Sequence, residues 1–254
     1  MTNPDGQQVA WITGAGKGIG RSLARRLARD GWIIAASARN EQDLNTLVAE
    51  CPDGRVHSFP LDITDLAASA TTVNGIESKI GELDLVVLNA GTHIPVTASS
   101  FSVEAIRVLV ETNLMGTVNG LAQLMPRFID RKRGHIAVVA SLAGYRGLPS
   151  SAGYGATKAG LINMCEALKP ELETHGVRLT LINPGFVSTP LTERNDFPMP
   201  FLIPVEEAVD YIVRGLESSM FEVAFPRRFA FVMKLLRILP DRMFFMLSKR
   251  LIRN

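Results

Sequence analysis

Near its amino terminus the chain reads Val9-Ala10-Trp11-Ile12-Thr13-Gly14-Ala15-Gly16-Lys17-Gly18-Ile19-Gly20, a strand-like run entering a glycine-rich turn, with helix-compatible sequence from residue 18 onward. Glycines let the backbone turn sharply, approach a phosphate closely and pack a helix tightly on a sheet. The free amides of the following helix then face that phosphate. Strand, turn and helix in this order predict a dinucleotide site. A nucleoside-triphosphate P-loop is excluded, because Gly16-Lys17 is followed by Gly18 instead of Ser or Thr and Trp11 stands where the first glycine belongs.

Outward from this turn, apolar runs of strand length alternate with helical stretches. The strand candidates are Val9–Thr13, Trp32–Ser37, Val56–Phe59, Leu83–Leu88, His135–Ala140, Val177–Ile182 and Glu222–Phe225. They are continuously apolar, as parallel strands buried on both faces require. Helix-compatible segments lie near 18–30, 41–50, 66–80, 103–130, 153–175 and 205–218. The expectation is an α/β doubly wound parallel sheet of about seven strands, a Rossmann fold, over residues 1–220. Within it, 186–204 is too long for an ordinary turn and reads as a substrate loop. Residues 221–254 are expected to supply the last strand and amphipathic helices broken at Pro240.

The chain has 254 residues and a formal net charge of +2, unevenly spread. From Phe221 to the end there are eight Lys/Arg and two acids, so residues 1–220 carry a net −4. A mildly acidic body argues against nucleic-acid binding. Cys51 and Cys165 are too few for a disulfide framework. The polar residues 1–8 lack the basic and apolar regions of a signal peptide, and no run of about 20 apolar residues occurs, so the expected location is cytoplasmic. No GxSxG elbow is present, which argues against a serine hydrolase. His57, His93, His135 and His175 are scattered without HExxH or CxxC, so no metal site is expected.

The spacing Thr13-Gly14-x-x-x-Gly18-x-Gly20 resembles the fingerprint of the short-chain dehydrogenase/reductase family, and the resemblance extends in order to about Pro190. It implies cofactor contacts from Thr13, Gly14, Gly16, Lys17, Gly18, Ile19 and Gly20. Asp62, with Ile63 beside it, sits where the family contacts adenine. Asn89-Ala90-Gly91 closes the fourth strand as the family's structural motif does, and Asn113, Ser141, Tyr154 and Lys158 match its catalytic tetrad. Pro184 and Gly185 follow the sixth strand, with Val187 and Thr189 where the family holds the carboxamide and phosphate region.

NAD-specific sites usually end their second strand in an acid that binds the ribose 2′-hydroxyl. Here Ala38 stands in that place and Arg39 follows. Without the carboxylate a 2′-phosphate is not repelled, and the guanidinium fork of Arg39 can clamp it, with Lys17 as a second cation. NADP(H) is therefore the expected cofactor.

Tyr154 and Lys158 are four residues apart and share one helix face. A neighbouring ammonium, together with the positive nicotinamide ring in the oxidised complex, is expected to pull the phenol below its usual pKa near 10. In reduction Tyr154 would protonate the developing alkoxide. The resemblance implies that Lys158 also holds the nicotinamide ribose and that Asn113 anchors a water leading to solvent. Ser141 would orient the carbonyl.

Leu142–Ser151 and 186–204 offer Leu142, Leu148, Phe186, Leu191, Phe197, Met199 and Phe201, which suggests an apolar ketone, aldehyde or secondary alcohol as substrate. Arg146 and Arg194 are candidates for an anionic group such as a thioester carrier, so a 3-oxoacyl-thioester reductase is an alternative, and a non-catalytic NADP(H)-binding protein another. On a helical wheel Arg227, Lys234 and Arg237 oppose Val232, Leu235, Leu236 and Leu239, while Arg242, Lys249 and Arg253 share a face after Pro240. Residues 227–254 are compatible with peripheral membrane contact, with packing on a pocket or second subunit, or with a solvated extension. A homo-dimer or homo-tetramer is expected through 103–130 and 153–175, where Pro170 should bend the second helix.

Overall fold

A computed structural model describes residues 6–193 and 198–251. Seven parallel strands form one sheet in the order β3-β2-β1-β4-β5-β6-β7. They are β1 (Val9–Thr13), β2 (Ile33–Ser37), β3 (Val56–Ser58), β4 (Leu85–Leu88), β5 (His135–Val139), β6 (Arg178–Pro184) and β7 (Glu222–Phe225). Side chains alternate across each strand, so Trp11 enters one core layer while Ala10 and Ile12 enter the other. Helices α1 (Gly18–Arg29) and α2 (Glu41–Glu50) cover the second layer with Leu23, Leu27, Leu44 and Leu47. The opposite face is covered by α3 (Leu66–Lys79), α5 (Gly116–Arg131) and α6 (Ala152–Thr174), while α4 (Val103–Leu109), which leads into α5, packs Ile106 and Leu109 against Gly153 of α6. Helix α7 (Val205–Glu217) returns to the α1 side through Val209 and Ile212. This is the expected doubly wound Rossmann-like fold.

One departure bears on function. The segment expected as one helix over 103–130 is interrupted by a π-helical turn at Val110–Met115, which contains Asn113. A widened turn shifts the facing of later residues, and such bulges commonly mark functional sites. Helix α6, by contrast, runs as expected over nearly the whole of 153–175 with Pro170 inside it.

The carboxyl-terminal segment forms α8 (Arg227–Ile238) and α9 (Asp241–Ser248), separated at Pro240 as expected. The buried face of α8 carries Phe229, Ala230 and Met233, so Val232 and Leu235 point outward and do not form the packed side. The wheel set one apolar side opposite the basic residues, but the side that meets the sheet is a different one, through Phe229, Ala230 and Met233.

Candidate active site

The chain winds from β1 to β3 on one side and resumes at β4 on the other, which opens a crevice at the carboxyl ends of β1 and β4. The glycine turn lines it. Gly14 and Gly18 hold φ of +68° and +55°, a region that favours glycine. A Cβ on Gly14 would lie 2.8 Å from the Ala90 Cα, and one on Gly18 would lie 3.3 Å from Thr189. Thr13 and Asn89 hold the two strand ends together. The amides of Asn89 and Ala90 donate to Thr13 Oγ1 at 3.0 and 3.1 Å, and Asn89 Nδ2 donates to the Thr13 carbonyl at 2.9 Å. Their side chains thus shape the crevice. The N-cap of α1 is Lys17, whose side chain caps none of the first amides. Those donors, Ile19 and Gly20 among them, are left facing the crevice, which fits a bound pyrophosphate.

Across the crevice, the four tetrad side chains belong to one connected group. Ser141 follows two residues after β5, its Oγ receiving the Ala143 amide at 3.1 Å, donating to the Pro184 carbonyl at 3.4 Å and interacting with the Tyr154 phenol. Tyr154 and Lys158 lie on α6, with the Lys158 ammonium 5.7 Å from the Tyr154 ring centre. Lys158 is buried, donates to the Val139 carbonyl at 2.9 Å, and is lowered by that burial to a pKa of about 8. Burial raises the Tyr154 phenol, and the Ser141 hydrogen bond only partly offsets it. For the protein alone, without the nicotinamide charge, the ammonium is turned to a backbone carbonyl and desolvation of the phenolate dominates. A neutral phenol is the form required of an acid.

Asn113, fully buried, does not touch Lys158 directly. Its Oδ1 accepts the Thr92 amide at 2.7 Å, while Nδ2 donates to the Thr92 carbonyl at 2.9 Å and to Thr157 Oγ1 at 3.2 Å. The neighbouring His93 ring meets Tyr154 edge-on at 4.8 Å. Its Nδ1 is buried without a partner, and burial lowers its pKa. An orphaned polar atom beside the tetrad is consistent with a site that completes its hydrogen bonds on binding a cofactor or substrate.

A sequence profile described as short chain dehydrogenase matches residues 8–197. The chain belongs to the short-chain dehydrogenase/reductase family. It is 38% identical to an uncharacterized oxidoreductase of Myxococcus xanthus over 96% of this chain and 97% of that one. It is 31% identical to a 3-oxoacyl-[acyl-carrier-protein] reductase of Thermotoga maritima over 74% and 77% of the two chains. A short-chain dehydrogenase from Sphingobium yanoikuyae, solved in complex with NADPH, superposes with a TM-score of 0.79 at 24% identity, covering 92% of this chain and 97% of that one. That likeness speaks for the fold.

In this short-chain dehydrogenase/reductase the adenosine end of the crevice differs in part from expectation. Arg39 is exposed just beyond β2, and its charge reaches Asp62. Lys17 faces Asp43 at 3.4 Å, so an acid on α2 already shares the second cation. The Asp43 Cβ and that of Ala38 each stand 3.2 Å from where a Gly16 Cβ would be, bringing this carboxylate close to the turn. The Thr64 amide, donating to Asp62 Oδ1 at 3.0 Å, holds that carboxyl below its ordinary range, with Arg39 contributing. Ile63 seats against Gly116, where a Cβ would come within 2.4 Å of its Cδ1, and the Ile63 carbonyl receives Asn119 Nδ2 at 2.9 Å.

The loop after β6 runs beside the glycine turn. The Gly185 amide donates to Phe225 at 2.7 Å, continuing from Pro184, and Val187 bridges to Ile203. Thr189 Nα donates to Thr192 Oγ1 at 3.0 Å. Of the apolar residues assigned to the substrate wall, Leu142 is buried in the core and lines nothing open. Phe186 and Phe201 stack on Phe229 of α8 at 5.5 and 5.8 Å, while Leu148, Leu191 and Met199 are half-buried. Phe197 and Arg194 lie outside the described residues. Arg146 is not free for an anionic substrate: it pairs with Asp241 and lies over the Phe244 ring at 4.6 Å. A cleft of about 640 Å³ at the amino ends of the strands, bordered by Asp84, Arg133 and His135, is on the wrong side of the sheet for this chemistry.

Sequence reasoning missed the polar network that holds the loop after β5. Tyr145 donates to Glu222, which also accepts from Asn183 Nδ2 at 2.8 Å and from Lys234 of α8 at 2.5 Å. Burial pushes the Glu222 carboxyl up, but these three donors outweigh it and hold it below its ordinary value. Thr92, Thr157, His93 and Asp43 were missed likewise. Each matters through a partner distant in sequence, so no local pattern announces it.

Proposed function

We propose that the protein is an NADP(H)-dependent reductase or dehydrogenase acting on an apolar ketone, aldehyde or secondary alcohol. The observation that carries this reading is the intact group of Ser141, Tyr154, Lys158 and Asn113 facing an uncapped helix N-terminus across one crevice. A bound nicotinamide supplies or accepts the hydride. Tyr154 donates its phenolic proton to the carbonyl oxygen as that oxygen becomes an alkoxide, and takes it back in the reverse direction. Ser141 orients the same oxygen and stabilises its growing charge. Lys158 holds the nicotinamide ribose and, by its charge, stabilises the phenolate left behind. Asn113 sets the Thr92–His93 backbone against Tyr154 and anchors the path by which Lys158 exchanges protons with solvent.

Arg39 supports NADP(H) over NAD(H), since Ala38 replaces the expected acid, although Asp43 beside Lys17 reduces that lysine's contribution. We expect the enzyme to work in the cytoplasm as a homo-dimer or homo-tetramer through α4–α5 and α6, where Val103 and Val108 are exposed. The likeness to a 3-oxoacyl-[acyl-carrier-protein] reductase keeps acyl thioesters in the substrate screen, though the pairing of Arg146 removes one basic candidate for a carrier.

The test is a fluorescence titration with NADPH and NADH, followed by a screen of apolar ketones and acyl thioesters. Tighter binding of NADPH is expected, and Arg39→Ala should weaken NADPH far more than NADH. An equal effect on both refutes the cofactor assignment, and NADPH binding without turnover on any substrate refutes the enzyme reading.

A further inference from the structure

Helix α8 buries Phe229, Ala230 and Met233, yet its opposite face is also apolar. Phe231 and Ile238 are 70% and 76% exposed, and Leu235 lies between them at helical spacing. Helix α9 buries Phe244 and leaves Met243, Phe245 and Met246 outward. An exposed apolar patch of this kind marks an interaction surface, so it calls for a cover.

The charges around it select what the cover is. Arg227, Arg228, Arg242, Lys249 and Arg250 are exposed and, among the described residues, enter no ion pair. Both acids of the segment are already neutralised, Glu222 by Lys234 and Asp241 by Arg146. Among the described residues, the outward faces of α8 and α9 are therefore apolar and cationic with no unpaired acid of their own, and the one exposed acid bordering the groove beside Arg227 and Arg228 is Glu207 of α7. A two-fold contact with a second copy would set these cations against their own equivalents. Arg227 and Arg228 also occupy the first turn of α8, which carries no acid, so the positive end of the helix dipole adds to their charge and favours a bound anion. No helix among the described residues is long and apolar enough to cross a bilayer.

We propose that the outer faces of α8 and α9 are a docking surface for an anionic lipid membrane, lying in the interface with the apolar side chains inserted and the cations against lipid phosphates. The surface adjoins the substrate loop: Phe201 and Leu202 border the same shallow groove as Arg227 and Arg228. The proposal does not depend on the reaction proposed above.

The experiment is vesicle flotation of the full chain with phosphatidylcholine alone and with phosphatidylcholine containing phosphatidylglycerol, at several salt concentrations. Two double variants accompany it, Phe231→Ser with Ile238→Ser and Arg228→Glu with Arg242→Glu, with melting curves to show that each remains folded. Binding is expected only with phosphatidylglycerol and should fall as salt rises. Each lost cation should weaken it roughly fivefold, and the apolar pair should weaken it at least as much. Absence of binding to anionic vesicles overturns the proposal, as does binding that survives the apolar pair. Sedimentation equilibrium supplies the last outcome: self-association abolished by the apolar pair, without vesicle binding, assigns the face to a second copy and overturns it equally.

Discussion

Replacing Asn113 by Ala tests how the site is held together. The side chain is fully buried in the π-helical turn and makes three hydrogen bonds, two of them the paired contacts of 2.7 and 2.9 Å to the Thr92 backbone. The third, to Thr157 at 3.2 Å, is longer. At about 1 kcal/mol net for each bond, Asn113→Ala is expected to destabilise the protein by about 3 kcal/mol. For a chain of this size that is roughly 6–12 °C in melting temperature, and the protein should stay folded at room temperature. Thr157→Val removes the longer bond to Asn113 and the 2.8 Å bond that Thr157 Oγ1 donates to the Tyr154 carbonyl, so at about 1 kcal/mol for each it should shift melting by about two thirds as much. Circular dichroism melts of both variants make the comparison. Because Thr92 precedes His93 on the Tyr154 ring, the turnover number of Asn113→Ala should also fall more than its KM changes. A melting shift below roughly 2 °C, or equal shifts in the two variants, refutes the clamp.

Tyr154→Phe should abolish turnover while NADPH titrates nearly as in the parent; retained turnover would show that another group delivers the proton. Lys158 has a folded pKa of about 8 against an ordinary 10.5, so between those values the unfolded chain binds more protons and stability rises with pH. Its buried charge therefore destabilises the protein below about 8. Lys158→Met should raise stability at neutral pH by about 1–2 kcal/mol once the Val139 carbonyl left unpaired is allowed for. That gain should shrink toward pH 10.5, and a pH-independent difference in melting argues against a buried ammonium. Glu222 is held below its ordinary value of 4.5, so its contribution is present above that value and lost as pH falls through the lower folded one. Glu222→Gln should melt earlier than the parent at neutral pH and converge with it in acid; curves that stay parallel into acid count against the network with Tyr145, Asn183 and Lys234.

The local signals were strong where a residue's role depends on its neighbours in sequence. Apolar runs placed β1 and β7 at their observed bounds, and α2 likewise. The glycine turn placed the crevice, since only strand, glycines and helix in that order leave uncapped amides at a sheet's carboxyl edge. What failed depended on surroundings. The wheel of α8 showed an apolar side and a basic side but not which was buried, because the sheet, absent from a wheel, takes Phe229 and Met233. The charge state of Tyr154 in the protein alone likewise depends on surroundings: spacing gives the proximity of Lys158, while burial and the turn of its ammonium toward Val139 set the sign.

By itself the sequence determined the family, the fold and the order in which the tetrad enters the site, because strand periodicity, glycine turns and i,i+4 spacing are short-range properties of a chain. The tertiary structure decided which atoms those residues meet. Asn113 meets Thr92 across 21 positions and Tyr145 meets Glu222 across 77, while Lys17 meets an acid on the next helix. Such contacts arise only when the packed sheet brings distant segments together, and burial there sets charge states that no local pattern records.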